Sequence, residues 1–266
     1  MLKAPPPGGQ YDAPDKTQTL EPGVPAFLPP LQPRGKTADR LDLARWLVDA
    51  QNPLTARVAV NRIWMHLFGQ GIVRSPDNFG SLGETPTHPE LLDWLAVEFR
   101  ESGWDVKRFY KQLLTSATYR QAALTTKEKV EKDRDNALLS RGPRFRMDAE
   151  MVRDFALSSS GLLKEKVGGA SVKPYQPKGV WESTTSGRGE LARYVQDNGD
   201  KLYRRGLYNF IKRTAPPPAL LIMDASNRDQ CEVNRLRTNT PLQALVLMND
   251  PQLLEAARVL AQNTAN

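Results

Sequence analysis

The stretch PLTARVAVNRIWMHLF, residues 53–68, decides the fold class. Its charged residues are Arg57 and Arg62, and apolar side chains run nearly all round the helix it would form. A helix of that pattern is buried rather than laid on a surface. Asn52-Pro53 supplies an N-cap and a proline at the first helical position, and Gly69 supplies the stop. The spacing therefore predicts a central helix over 53–68, with Ile63 and Trp64 packed on other helices.

Working outward, helical signals fill the first two thirds of the chain. Leu41, Ala44, Leu47 and Val48 share one face of a helix near 39–50. Thr87-His88-Pro89-Glu90 has capping-box spacing, and Leu91, Leu92, Leu95, Ala96 and Phe99 follow as an apolar stripe. Gly103 ends that helix, and Asp105 can cap the next, which carries Val106, Phe109, Tyr110, Leu113, Leu114 and Ala117. A charged helix near 127–139 and another near 147–163 complete this half.

The character changes near Gly168. Glycines and prolines punctuate 168–206, and the segment reads as irregular with short strands. Residues 206–211 are β-prone and are expected to form one strand. Thr240-Pro241 opens a helix through Met248, and Asp250-Pro251 opens a last helix to about Gln262. The expected fold is mainly α: a multi-helix domain with irregular Gly/Pro-rich segments and at most a small β element near 170–212. Residues 1–37, rich in proline, form an extended lead-in. Residues 38–262 form a single mainly helical domain, with a helical half at about 38–165 and an irregular part with C-terminal helices at about 166–262. Residues 263–266 are a tail.

Composition bounds the function. A chain of 266 residues with 39% hydrophobic content can bury a real core. It has no run of 18 or more apolar residues, so no membrane span is expected. The first residues, MLKAPPPGGQYDAPDK, lack the basic and apolar regions of a signal peptide. One cysteine, Cys231, allows no internal disulfide; with two histidines it allows no zinc pattern, and C-x-x-C-H is missing. The expectation is no cofactor in this chain. The net charge is +7 and the pI about 9.5, but the basic residues are scattered among 30 acids. Nucleic-acid binding is thereby a lesser alternative.

Two polar groups of residues stand out. Arg57 and Asn61 lie four apart on one helix face, and Arg62 and His66 repeat that spacing. Buried arginine and asparagine need partners. They either fix neighbouring loops or line a site for an anion or sugar. His66 reads as a satisfied core histidine and His88 as a cap. The second group lies in DASNRDQCEVNRLRTN, residues 224–239, where Asp224, Arg228, Asp229, Glu232, Arg235 and Arg237 can form an ion-pair network. Alternatively Asp224 and Glu232 are an acid/base pair. Arg57, Asn61 and Arg62 are expected to meet Asp224, Arg228, Arg235, Arg237 and Asn239, as a structural clasp or as a binding site. The loop 69–87, turned by Ser75-Pro76-Asp77-Asn78 and anchored by Phe79, is long for a helix–helix connection.

Several long strings resemble a known family. They are residues 40–104, from RLDLARWLVDAQNP to FRESGW, then TSATYRQ (115–121), RRGLYNFIKRTAPPP (204–218) and RTNTPLQALVLMNDP (237–251), with EPGVPAFLPPL (21–31) as lead-in. Together they resemble the planctomycete cytochrome c-associated domain called domain of unknown function 1553. The resemblance covers about 20–262. It implies an exported or periplasmic, multi-domain, redox-linked context, in which this domain is C-terminal. The implied partners are upstream haem-binding and companion domains of the same protein, and haem would sit only in those upstream domains. It implies no reaction. The resulting expectation is an accessory module that binds a partner or a polymer such as a polysaccharide. The alternative is an enzyme acting on carbohydrate or acidic polymer.

Overall fold

The computed structural model describes residues 2, 3, 19–185, 189, 191–226, 228, 229 and 231–265. The protein is mainly α-helical and divides into two compact units, Met1–Phe145 and Arg146–Asn266. Among the described residues no helix is long and apolar enough to cross a membrane.

The first unit begins with a short antiparallel pairing of β1 (Leu2–Lys3) and β2 (Thr19–Leu20) inside the proline-rich lead-in. Helix α1 (Arg40–Leu47) starts in a capping box formed by Asp39 and Asp42, and Arg34 ties both carboxylates. The lead-in is pinned where Trp46 Nε1 donates to Pro29 O at 2.6 Å.

Helix α2 (Thr55–Phe68) packs on α3 (Pro89–Glu101) and forms the centre of this unit. Val60 is fully buried, and Trp64, Ile72, Leu92, Leu95, Phe99, Phe109 and Leu113 close around it. Trp64 stacks on Phe68 with ring centroids 4.0 Å apart. Gly69 ends α2 at φ 84°, the left-handed conformation that a side chain disfavours. The central helix is thus where the sequence put it, two residues shorter at its start. The N-cap position is Leu54 rather than Asn52, but Asn52 Oδ1 accepts from Leu54 N and Thr55 N and so turns the chain into the helix.

The capping box expected at Thr87–Glu90 does not form. Thr87 instead gives both its N–H and its hydroxyl to Ile72 O, which closes the 69–87 loop, and Phe79 anchors that loop on the core. Helix α4 (Val106–Thr115) is capped by Asp105 and followed by the single turn α5 (Ala117–Arg120). Helix α6 (Lys127–Lys132) ends well before residue 139. Asp133 turns the chain there, accepting backbone N–H groups of Leu138 and Ser140. Burial alone would raise the Asp133 carboxyl; these donors hold it below the usual carboxylate range.

The second unit contains α7 (Ala149–Ser159), α8 (Pro218–Ile222), α9 (Pro241–Asn249) and α10 (Pro251–Ala265). Helix α9 has a complete capping box of Thr240 and Gln243. The stretch between α7 and α8 is irregular, as the glycines and prolines require. Among its described residues the β content is two isolated parallel bridges, Lys164 with Arg204 and Val172 with Asn209. The strand expected at 206–211 is instead a 3-10 turn over Gly206–Tyr208. Gly206 N donates to Asp154 Oδ1 of α7, Tyr208 N to Arg205 O and Asn209 N to Gly206 O, so strand pairing is limited to Val172, whose N–H donates to Tyr208 O and whose carbonyl accepts from Phe210 N, both at 2.8 Å. Trp181, 1% exposed, fills the middle of this stretch against Tyr194 and Phe210.

Arg153 of α7 organises the unit. Its guanidinium donates to Gln252 Oε1, Arg204 O and Leu202 O. Burial pushes its pKa down to about 10, so it remains charged at neutral pH.

Candidate functional site

In the first unit the polar residues of α2 separate by depth. Asn61 is fully buried and makes two bonds to one residue: Nδ2 donates to Val73 O at 3.0 Å, and Oδ1 accepts from Val73 N at 2.8 Å. The side-chain amide so pairs with the loop as a neighbouring strand would. Gly71 passes so close that an added Cβ would sit 2.4 Å from Val73 O and 2.7 Å from Asn61 Nδ2. Arg57 bonds Asp93 at 2.6 Å and Pro53 O at 2.5 Å, at the rim of a recess of about 200 Å³. That pair is solvent-exposed and contributes little stability. Arg62 and His66 are exposed. The expectation of a core histidine at 66 is therefore corrected: the outer stripe of α2 faces water, and His66 lies on it. His88 occupies the N-cap position of α3 without a side-chain cap bond; its Nδ1 lies 3.0 Å from Thr87 Oγ1.

In the second unit the 224–239 segment forms ion pairs, though mostly with residues outside itself. Arg146 pairs with Asp224, Arg235 with Glu150 at 2.6 Å and Arg237 with Asp148 at 3.3 Å. Asp148 and Glu150 flank the start of α7, so these arginines hold the segment against that helix end. Arg228, Glu232 and Asn239 are exposed. Asp224 adopts φ 63°, a conformation aspartate tolerates better than most residues. Its carboxylate accepts from Arg146, from Thr238 N at 2.8 Å, from the Thr238 hydroxyl and from Gln243 Nε2 at 3.2 Å. Burial would raise this carboxyl, but the Thr238 bonds and the Arg146 guanidinium hold it below its ordinary value. A carboxylate saturated in this way is held ionised, which suits structure and not proton transfer.

A pH dependence follows. The stabilisation from Asp224 is complete above its unfolded pKa of 3.8 and is lost as pH falls through the lower folded value. Asp224→Asn keeps the shape and tolerates the positive φ. It should cost roughly 1–2 kcal/mol at pH 7. Urea midpoints of the two proteins should begin to approach each other near pH 3.8 and converge only as the pH falls through the lower folded value. A gap that persists unchanged at lower pH would show that the carboxylate charge is not the stabilising element.

A concavity in the second unit is a feature that sequence reasoning did not find. A cleft of about 560 Å³ opens between the segment Tyr175, Gln176, Pro177, the turn of α8 and the junction of α9 with α10. Pro218, Ala219 and Ile222 form one wall; Leu245, Val246, Asn249 and Pro251 form the other, and Gln196 contributes a further amide. The charged lining residue among those described is Asp250, whose Oδ1 already accepts Gln252 N and Leu253 N at the start of α10. Behind the cleft lies a recess of about 50 Å³, which shares Tyr175, Ala219, Val246 and Asp250 with it. Close by, the Tyr203 hydroxyl donates to Glu255 Oε1 at 2.9 Å. Burial first, then that bond, pushes Tyr203 up to about 12, with Tyr175 as a further hydrogen-bonding neighbour.

The residues singled out in the sequence thus fall into two sets. Arg57, Asn61, Arg62 and His66 belong to the first unit; Asp224, Arg228, Arg235, Arg237 and Asn239 belong to the second. The hydrogen bonds described for each set run within its own unit.

A family model described as "PSD1: Protein of unknown function (DUF1553)" matches residues 39–266. No curated protein and no solved structure matches the chain.

Proposed function

The chain belongs to the family described as PSD1, protein of unknown function (DUF1553), and from that premise we propose that it is a non-catalytic accessory module that binds a partner or polymer through the cleft of its second unit. The observation that carries this reading is the cleft's lining. It offers a large apolar surface, a few amides and one carboxylate already committed to capping a helix. Such a surface holds a ligand and has little to react with it. The polar residues of α2 and of 224–239 act as structural ties in this reading: Asn61 holds the 69–87 loop, and Asp224, Arg235 and Arg237 hold the start of α7. The setting proposed, on the resemblance of the sequence strings, is an exported, cytochrome c-associated, multi-domain protein of planctomycete type.

Photo-crosslinking in the source cells tests both parts. A photoreactive residue at the exposed position 245 should give adducts in the envelope fraction, and one at the exposed position 138 should give none. Equal labelling from both positions, or recovery in the cytoplasm, would contradict the proposal.

The cofactor expectation stays a proposal as well. Purified alone, this chain should show no Soret band and no stoichiometric zinc, because it lacks C-x-x-C-H and has one cysteine. Either signal at one equivalent would overturn it.

A further inference from the structure

The connection from α8 to α9 is tied at its neck. Thr238 donates to the Asp224 carboxylate through its N–H, at 2.8 Å, and through its hydroxyl. Gln243 Nε2 donates to Ile222 O at 2.9 Å. With its ends joined in the manner of an Ω-loop, the body of this loop can move while the two helices stay in place.

Charge holds that body down. Half-buried and exposed residues alternate along it: Val233, Arg235 and Arg237 turn inward, Asn234 and Leu236 outward, and Leu236 is 79% exposed. Among the described residues from Ser226 to Arg237 none is buried, and no backbone–backbone hydrogen bond is described for 232–236. Apolar anchoring amounts to Ala225 at the neck, beside Ala149, Leu220 and Met223, and to Val233. Against this, Arg235 Nη1 meets Glu150 Oε2 at 2.6 Å and Arg237 Nε meets Asp148 Oδ1 at 3.3 Å. Asp148 and Glu232 also act on Arg235 through their charge.

The backbone opposes the closed state. Arg228 adopts φ 66°, the left-handed region that arginine visits rarely, and it relaxes when the loop lifts. The ion pairs favour closure and the strained residue favours opening, by amounts of the same order. A small balance of that kind populates an open form. We propose that the loop between α8 and α9 is a charge-latched strap: it releases Arg235 and Arg237 together and bares the Asp148 and Glu150 carboxylates at the start of α7. The device does not depend on what the cleft binds.

The test uses the whole 266-residue chain. Phenylglyoxal reacts with a guanidinium that no carboxylate engages, and mass spectrometry follows it arginine by arginine, with the exposed Arg62 as reference. In the parent, Arg235 and Arg237 should react about tenfold or more slowly than Arg62. Glu150→Gln frees Arg235 directly, so its effect is read at Arg237. Asp148→Asn removes no helix-cap bond, and its effect is read at Arg235. Each variant should quicken the other arginine about tenfold, because one latch holds the strap for both. Arg228→Asn, which accepts the left-handed conformation, should slow both arginines about threefold. Circular dichroism and urea midpoints establish that the variants fold; if either carboxamide variant does not, the parent and Arg228→Asn decide. An effect confined to the arginine whose own partner was removed would overturn the strap. So would strap arginines as reactive as Arg62 in the parent, or Arg228→Asn leaving both rates unchanged.

Discussion

Val60→Asp should leave the first unit unfolded. Val60 is fully buried at the contact of α2 with α3, within the cluster of Trp64, Ile72, Leu92, Leu95, Phe99 and Phe109. No solvent reaches the site, and the side chains that close around it are apolar. An ionised carboxylate there has neither water nor a counter-charge, and a protonated one is an unsatisfied polar group in an apolar core. The cost should exceed about 4 kcal/mol, a large part of the roughly 5–15 kcal/mol that holds a domain folded. Far-UV circular dichroism should lose the contribution of this unit's helices, and limited proteolysis should cut within 40–140. Val60→Ala is the comparison; it removes two methyl groups and should cost about 1–3 kcal/mol while the unit stays folded. A Val60→Asp protein with the parent's urea midpoint would mean that α2 is not the centre of the unit.

The second large effect is expected at Arg153. Its guanidinium is buried and binds Gln252 Oε1, Arg204 O and Leu202 O, so one side chain joins α7, α10 and the irregular stretch. Arg153→Met keeps most of the volume and removes every donor. Leu202 O retains a bond from Gln252 Nε2 at 2.7 Å, but Gln252 Oε1 and Arg204 O lose the Arg153 donor. Each buried acceptor left without a partner costs about 1–3 kcal/mol, so a loss of roughly 3 kcal/mol or more is expected. The loss is partly offset because the desolvation penalty of the buried charge disappears with it. The measurement is the urea midpoint together with amide exchange. Exchange at 199–206 and at the start of α10 should quicken before the rest of the unit. A midpoint within about 0.5 kcal/mol of the parent would show that the packing there stands without the arginine.

These effects bear on what the sequence could disclose. The period of residues 53–68 gave the central helix, because burial on nearly all sides follows from an apolar circumference. It misplaced His66, since one exposed stripe interrupts that circumference. Asn61 could be recognised as needing a partner; that its partner would be the backbone of Val73 could not, because the 69–87 loop carries no periodic signal. Thr87 and Glu90 had the spacing of a capping box, but α3 begins one residue later, with His88 at its N-cap, and Thr87 bonds Ile72 O in the loop. Residues 206–211 were β-prone by composition, but Asp154 and the carbonyls of Arg205 and Gly206 take the amides of Gly206, Tyr208 and Asn209, which leaves a single bridge to Val172 in place of a strand.

The cleft was the least legible feature. Its walls come from positions 175–177, 196, 218–222 and 245–251, which share no spacing and no motif. The charged segment 224–239 drew attention because its residue types are those of sites, yet Asp224, Arg235 and Arg237 are spent on Arg146, Glu150 and Asp148. Charge density reports where ion pairs form; it does not report where a ligand would find open space.

The central claim is that ligand binding belongs to the cleft of the second unit, while the polar residues of α2 and of 224–239 are structural. Soaking crystals of this chain with a library of small uncharged fragments tests it most directly. The account predicts fragments clustered between Tyr175, Ile222 and Leu245. Fragments gathered instead on Arg57 and Arg62, or along Arg228 to Asn239, with the cleft empty, would contradict it.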